Sequence, residues 1–597
     1  MCVACGPLMD AINSNFIKPS RRLFLKGSSA TAIAAGFGAS INGLICSEVM
    51  AQSELGDTLY SGGPIITITD ANPTAEAVLV RAGRIVAVGE KSDLEKQAKA
   101  PLKTVDLAGK ALLPGFFDPH GHVVMIGLQA LSANLLPAPD GEGNDIGAIQ
   151  RLLKDWIAKK TNAIDRYKFI IGFGYDDSQL KERRHPTRDE LDAVSNELPI
   201  LIVHQSGHLG VANSKALEIA SVTAATQDPD GGVFRRREGG TEPNGVCEEY
   251  AFFQVMGNLA ARFDEDAYLA MIKAGADFCA SFGYTTVQEG RAMNVTAAML
   301  NNAAQRGMLA VDVLAYPDIL DAVEAIKPSQ EYKNRYRVGG AKLTIDGSPQ
   351  GKTAWLTKPY FIPPEGKGAD YVGCPSVSKE KVQVAYDLAY SKNWQILTHA
   401  NGDAAIDMMI GCVRQSTEKY GKGDRRPVLI HGQACRLDQL PSLKELGIIP
   451  SFFPMHTFYW GDWHRDSVLG PERAENISPC ASARKLGMIF TSHHDAPVAN
   501  PNSIRVLSAT VTRRTRSGAI LGPNERVDTQ TALKAMTLWP AYQHFEEATK
   551  GSIEVGKLAD FVILDSNPLA TPPETLADLK VVETIKEGRS IYKAKAA

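Results

Sequence analysis

Hydrophobic and polar positions fall into blocks along the chain, and each block has its own rhythm. Near the start, "IITIT" (65–69), "AVLVRAGRIVAVG" (77–89) and "TVDLAGKALLPG" (104–115) are apolar or alternating runs punctuated by glycine. That is the pattern of short strands. A matching set closes the chain, "GKLADFVILD" (556–565) and "VVETIKEGRSIY" (581–592). Either set alone is a meagre sheet with open edges. Together they predict one small β-sandwich domain built from both termini, 55–113 with 548–597.

Between the two ends, short apolar runs alternate with helix-compatible segments. The runs are "ALLPGFFDPHGH", "FGYTTVQEG", "MLAVDVLAY", "RVGGAKLTIDG", "WQILTHANG", "RPVLIHGQ", "LGIIPSFFP" and "LGMIFTSHHD". Repeated βα units with continuous apolar strands indicate a parallel sheet. Eight of them predict an α/β fold of the (β/α)8 TIM-barrel type over 114–547. In such a barrel the active site sits at the C-terminal ends of the strands. His120 and His122 end the first run, Lys342 sits on the fourth, with Asp346 beyond it, and His399, His431 and Asp495 end the fifth, sixth and eighth. The spacing agrees: His399 and His431 are about one βα unit apart, His431 and Asp495 about two. The stretch from His122 to Lys342 is far too long for three units, so an insertion follows the first strand. It covers 126–264 and carries its own strands, "KFIIGFGY" and "LPILIVHQSGHL".

The chemistry of these positions narrows the reading. Side chains at i and i+2 of a strand share a side, so His120 and His122 suit one metal ion. An isolated H-x-H is more often two ordinary hydrogen-bonded histidines than a metal site. Four histidines and an aspartate converging on one face suit Zn²⁺ and similar ions. Lysine is out of place beside cations unless it is neutral or has reacted with CO₂ to a carbamate.

These stretches, with "SGHLGVANSKAL", "KLTIDGSPQGKTAWL", "HHDAPV" and "GSIEVGKLADFVILD", identify a resemblance. The chain resembles the amidohydrolase superfamily and, within it, the amidohydrolase family 3 group that includes N-substituted formamide deformylases. The resemblance spans about 55–593. It implies two divalent metal ions, His120 and His122 on one, His399 and His431 on the other, and carboxylated Lys342 bridging them. It implies that Asp495 ligates a metal and handles protons, and that hydrolysis uses metal-activated water. His208 in "SGHLGVANS" matches a family histidine near the substrate. Its roles as a catalytic group on the carbonyl and as part of the insertion's own structure both stay open. His456 and Trp460 in "PMHTFYWGDW" suggest a pocket wall, with a packed loop as the other reading. Asp346 also belongs to the candidate pocket, or with Lys352 supports the metal ligands. His185, His464 and His544 are assigned to surface or packing. Two motifs depart from the family: "IHGQ" stands for its "EHAQ", and "SHHDAPV" for its "GSDAPV", so His493 and His494 are additions that either add a ligand or alter substrate fit.

Composition adds limits. A net charge of −3 and 22% charged residues predict no nucleic-acid binding. The N-terminal segment 1–51 contains "PSRRLFLKGSSATAIAAGFGAS" and ends in "VMA", which resembles a twin-arginine (Tat) export signal cleaved after Ala51. It implies the Tat export machinery as a partner, a bacterial periplasmic or secreted location, and no stable membrane insertion after cleavage. Six cysteines remain beyond it without a C-x-x-C pattern. The substrate class is a small molecule, and a homo-oligomer is compatible with the sequence. The leading reading is cleavage of a non-peptide C–N bond. An esterase, lactonase or phosphoesterase on the same metals is the first alternative, and a non-catalytic periplasmic binding protein the second.

Overall fold

The parallel strands predicted for the middle of the chain form two hydrogen-bonded sheets. A computed structural model describes residues 56–595, apart from 160–166, 208, 230 and 365. The twin-arginine segment, its cleavage point at Ala51 and the candidate His208 lie outside the described residues. One sheet contains β1 (Phe116–Phe117), β2 (Tyr284–Ala292), β3 (Asp312–Pro317) and the first half of β4 (Tyr336–Val338). The other contains the second half of β4 (Ala341–Thr344), β5 (Ile396–Ala400), β6 (Val428–His431), β7 (Ile449–Phe452) and β8 (Thr491–Ser492). All pairs within both sheets are parallel.

β4 breaks at Gly339–Gly340, where neither position has room for a side chain. A Cβ on Gly339 would lie 2.6 Å from the Tyr316 ring, and one on Gly340 would lie 2.3 Å from the Gln395 carbonyl oxygen. A parallel bridge between Asp318 and Lys342 carries the pairing past the break. Between β8 and β1 the contact runs through the segments beyond them: Asp495 N–H donates to His120 O at 3.2 Å and His122 N–H to Ala496 O at 3.0 Å. The fold is therefore TIM-barrel-like, with its ladder in two sheets. Phe117, Leu314, Tyr316, Leu397, Val428, Ile430 and Ile449 fill the interior.

The helix Val123–Ala130 starts directly after His122 and crosses the helix Glu265–Ser281. The crossing is close because both helices carry glycine there. A Cβ on Gly127 would lie 1.8 Å from Met271 O, and one on Gly275 would lie 2.0 Å from Val123 O. This contact pins the segment that presents the two histidines.

The chain ends meet as their strand patterns predict. Phe561–Leu564 pairs antiparallel with Ala111–Pro114, and Tyr60, Val78 and Ile85 pack with Leu112, Phe561 and Ile585 in one core. The insertion forms a six-stranded mixed sheet between Ala133 and Glu249. Among the described residues no helix is long and apolar enough to cross a membrane. The six cysteines are all free, and only Cys374 is exposed.

Candidate metal centre

His120 and His122 lie just past β1 rather than on it. The strand ends at Phe117, and the Asp118 carboxylate accepts the His120 N–H at 3.0 Å as the chain turns through Pro119. The rings still converge: Nε2 of each lies 3.3 Å from Asp495 Oδ1. Space for the His120 ring depends on Gly290, where a Cβ would lie 2.3 Å from His120 Cε1.

Register explains the other side of the centre. Lys342 pairs with Leu397, and Thr344 with His399. Leu397 faces the interior, so strand alternation turns Lys342 and His399 inward as well. It would turn His431 away, because its neighbour Ile430 already faces inward. His431 instead has a left-handed backbone, φ 74°, and its Nε2 comes within 3.0 Å of His399 Nδ1 and 3.8 Å of Asp495 Oδ2. Asp495 is also left-handed, at φ 49°. Such conformations cost energy for non-glycine residues and gather at functional sites.

The far nitrogen of every histidine in the group meets a second residue. His120 Nδ1 lies 2.7 Å from Gln288 Oε1, and His122 Nδ1 lies 3.4 Å from Glu289 Oε1. His399 Nε2 lies 3.1 Å from the Gly347 carbonyl oxygen, and His431 Nδ1 lies 3.0 Å from His493 Nε2. Gln288 Oε1 and the Gly347 oxygen only accept hydrogen bonds. The proton of His120 therefore sits on the far side, and its Nε2 turns to the centre; His399 Nε2 meets both the Gly347 oxygen and Asn401 Nδ2 at 3.1 Å. This is how proteins orient imidazole ligands toward metals. Lys342 is 0% exposed and its Nζ makes no hydrogen bond, a costly state for an isolated amine. Burial would raise the Asp495 carboxyl, but His431, His120 and His122 hold it well below the ordinary carboxylate range. A buried anion ringed by imidazoles, beside an amine without a partner, fits divalent cations.

The remaining predicted residues take varied places. Asp346 is fully buried and accepts backbone N–H groups from Trp355, Asn401 and Gly402 at 2.8–2.9 Å. It stands 3.5 Å from His399 Nε2, so it braces the loops behind that histidine. Lys352 lies with its Nζ on Ile362 O and Ser467 Oγ and over the Trp463 ring. His456 is buried on the helix Met455–Trp463, between Phe453 and Trp460, with Nδ1 2.9 Å from His464 Nε2. His464 and His544 are buried packing residues, neither of them on the surface. His494 points away from the centre, its Nδ1 accepting the Ala496 N–H and its Nε2 3.4 Å from Asp118.

Sequence reasoning missed Gln288 and Glu289, although a Gln-Glu pair inside "TTVQEG", within a buried strand, is a visible signal. It also missed a second convergence, in the insertion. His204 Nε2 lies 3.1 Å from Asp177 and 3.6 Å from Asp176. Burial opposes charge on both partners, yet their attraction lifts His204 to about 9 and lowers Asp176 to about 2. That group is held together as an ion pair, and its three donor atoms lie close enough to one another to hold a metal ion.

Comparison with known proteins gives a consistent setting. The sequence profile of the amidohydrolase family matches residues 103–592. The chain is 25% identical over 556 residues to N-substituted formamide deformylase of Arthrobacter pascens, covering 90% of this chain and 98% of that protein. It is 27% identical over 532 residues to Protein LONG AFTER FAR-RED 3 of Arabidopsis thaliana, covering 86% and 87%. A solved structure of an uncharacterized metal-dependent hydrolase from Pyrococcus horikoshii OT3 matches with a TM-score of 0.69 at 24% identity, over 87% of this chain and 99% of that one. Likeness at that identity speaks to the fold.

Proposed function

Since the chain belongs to the amidohydrolase family and is a metal-dependent hydrolase, we propose that it cleaves a non-peptide C–N bond in an amide, formamide or cyclic amide. The position of Asp495 carries this reading. Its Oδ1 is 3.3 Å from Nε2 of both His120 and His122, and its Oδ2 is 3.8 Å from His431 Nε2. A carboxylate held there can take a proton from attacking water and return it to a departing nitrogen. An amine leaves poorly unless protonated, so a C–N bond is where that return matters most. The named activity of the Arthrobacter relative supports the formamide arm.

Two divalent ions, zinc by the chemistry of the donor set, would be held by His120, His122 and His431 through Nε2, His399 through Nδ1, Asp495, and carboxylated Lys342 between them. The buried, unbonded Nζ of Lys342 supports the carbamate. Bound cations lower the pKa of water and polarise a carbonyl. His456 and Trp460 would line the substrate side, where His208 is the further candidate for the carbonyl oxygen. The two terminal sheets sharing one core support a composite β-sandwich domain, 55–113 with 548–597. The twin-arginine N-terminus supports export to the periplasm or beyond.

The test is amine release from a panel of formamides, N-acyl amines and cyclic amides, with and without a chelator, beside an ester and phosphotriester panel. Chelator-sensitive amine release is the expected result. Ester or phosphoester turnover without amine release would overturn the C–N assignment.

A further inference from the structure

His493 is fully buried, and its ring stands between a candidate ligand and a strand hydroxyl. Its Nε2 is 3.0 Å from His431 Nδ1 and its Nδ1 is 3.0 Å from Ser451 Oγ. Its backbone N–H donates to Phe452 O at 3.1 Å, and its ring packs on Phe453 with centroids 5.0 Å apart. Position and orientation are thus both set by β7.

Proton counting gives this arrangement a direction. Two ring nitrogens 3.0 Å apart share one proton, because two facing lone pairs repel. To offer Nε2 to a cation, His431 must carry its proton on Nδ1. That proton needs an acceptor, and His493 Nε2 is the atom in place. His493 then carries its own proton on Nδ1 and donates it to Ser451 Oγ.

We propose that His493 is a positioning residue whose imidazole, backed by Ser451, accepts the His431 Nδ1 proton and so sets His431 Nε2 as a metal-binding lone pair. The inference rests on the metal-centre reading above. It also gives a role to one of the two histidines that replace the family's usual residues before Asp495, while His494 faces Asp118.

The experiment is competition between the protein and a chromophoric chelator for Zn²⁺, with His493→Phe and His493→Gln. The glutamine carbonyl reaches where Nε2 lies and accepts the same proton, whereas phenylalanine fills the space without accepting. Metal affinity is expected to fall about 10- to 100-fold in His493→Phe and to recover to within a few-fold of wild type in His493→Gln. Equal affinity in His493→Phe and wild type would overturn the proposal, as would equal loss in both variants with unchanged melting of the metal-free proteins. Should His493→Phe not fold, ¹⁵N-histidine spectra of the metal-loaded wild type decide. The protons of His431 and His493 are expected on Nδ1 of each ring, and a His493 proton on Nε2 contradicts the proposal. Wild type that binds no Zn²⁺ would overturn the metal reading itself, an outcome distinct from metal binding that ignores His493.

Discussion

The two ends of the barrel each bury a polar cluster, and the clusters are built on opposite plans. At the lower end, Asp312 at the start of β3 lies 2.7 Å from both Lys550 and Lys586. Lys550 reaches Glu546 at 2.6 Å, Lys586 reaches Asp560 at 2.7 Å, and Arg337 closes on Glu546 at 2.5 Å. Each of these cations faces a carboxylate. Burial opposes their charges, yet Lys550, Lys586 and Arg335 hold Asp312 well below the ordinary carboxylate range. At the upper end, the imidazoles of His120, His122, His399 and His431 gather around Asp495, and the Lys342 amine makes no hydrogen bond. Both clusters are buried, so burial of polar groups does not mark function. What separates them is donor type: the upper cluster gathers imidazoles, which suit divalent cations. The lower cluster also ties the terminal sheet to the barrel, because Lys586 and Asp560 flank or lie on its strands.

Substitutions separate the two plans, beginning with the largest effect. Asp495→Asn is expected to reduce turnover about 10²- to 10⁴-fold with an unchanged melting temperature in the metal-free protein, measured by steady-state kinetics and calorimetry. Asp312→Asn is expected to behave in the opposite way. It takes from Lys550 and Lys586 one of the carboxylates each faces and costs up to about 3–5 kcal/mol of stability, while turnover per folded molecule stays at the wild-type level. Loss of turnover in the folded fraction would erase the contrast between the two ends.

A pH series sharpens the lower end. Burial opposes the Glu546 charge, but Lys550 and Arg337 lower its carboxyl from 4.5 to about 2. A carboxyl depressed in the folded state contributes stability that is complete above the unfolded value and is lost as pH falls through the folded one. Wild type should therefore lose stability between about pH 4.5 and about pH 2, and Glu546→Gln should lose less over the same interval. An identical acid profile for the two would contradict the assignment.

The smallest expected effect concerns Gly290. Gly290→Ala pushes the His120 ring from its place, so metal affinity should fall roughly tenfold with little change in fold, measured by chelator competition. Wild-type affinity would show that the ring has room to yield.

Much of this was legible in the chain, and the unread part has physical causes. His399 and His431 at strand ends and the inward Lys342 follow from local apolar patterns and spacing, whereas Asp495, expected at a strand end, lies past the end of β8 at Ser492. Support from Gln288 and Glu289 joins residues 168 and 167 positions from the histidines they hold, and no local period encodes such a pairing. The inward turn of His431 depends on a left-handed backbone that strand alternation alone would deny. His493 stood out as an addition in its motif, but only its distance to His431 separates a supporting ring from a further ligand.

The central claim is that the upper cluster exists to hold cations. Elemental analysis of the purified protein, beside Lys342→Ala, tests it most directly. About two divalent ions per wild-type chain are expected, with at least one lost, together with most activity, in Lys342→Ala. An active wild-type enzyme without bound metal, or a Lys342→Ala variant with full metal content and full activity, would contradict the account.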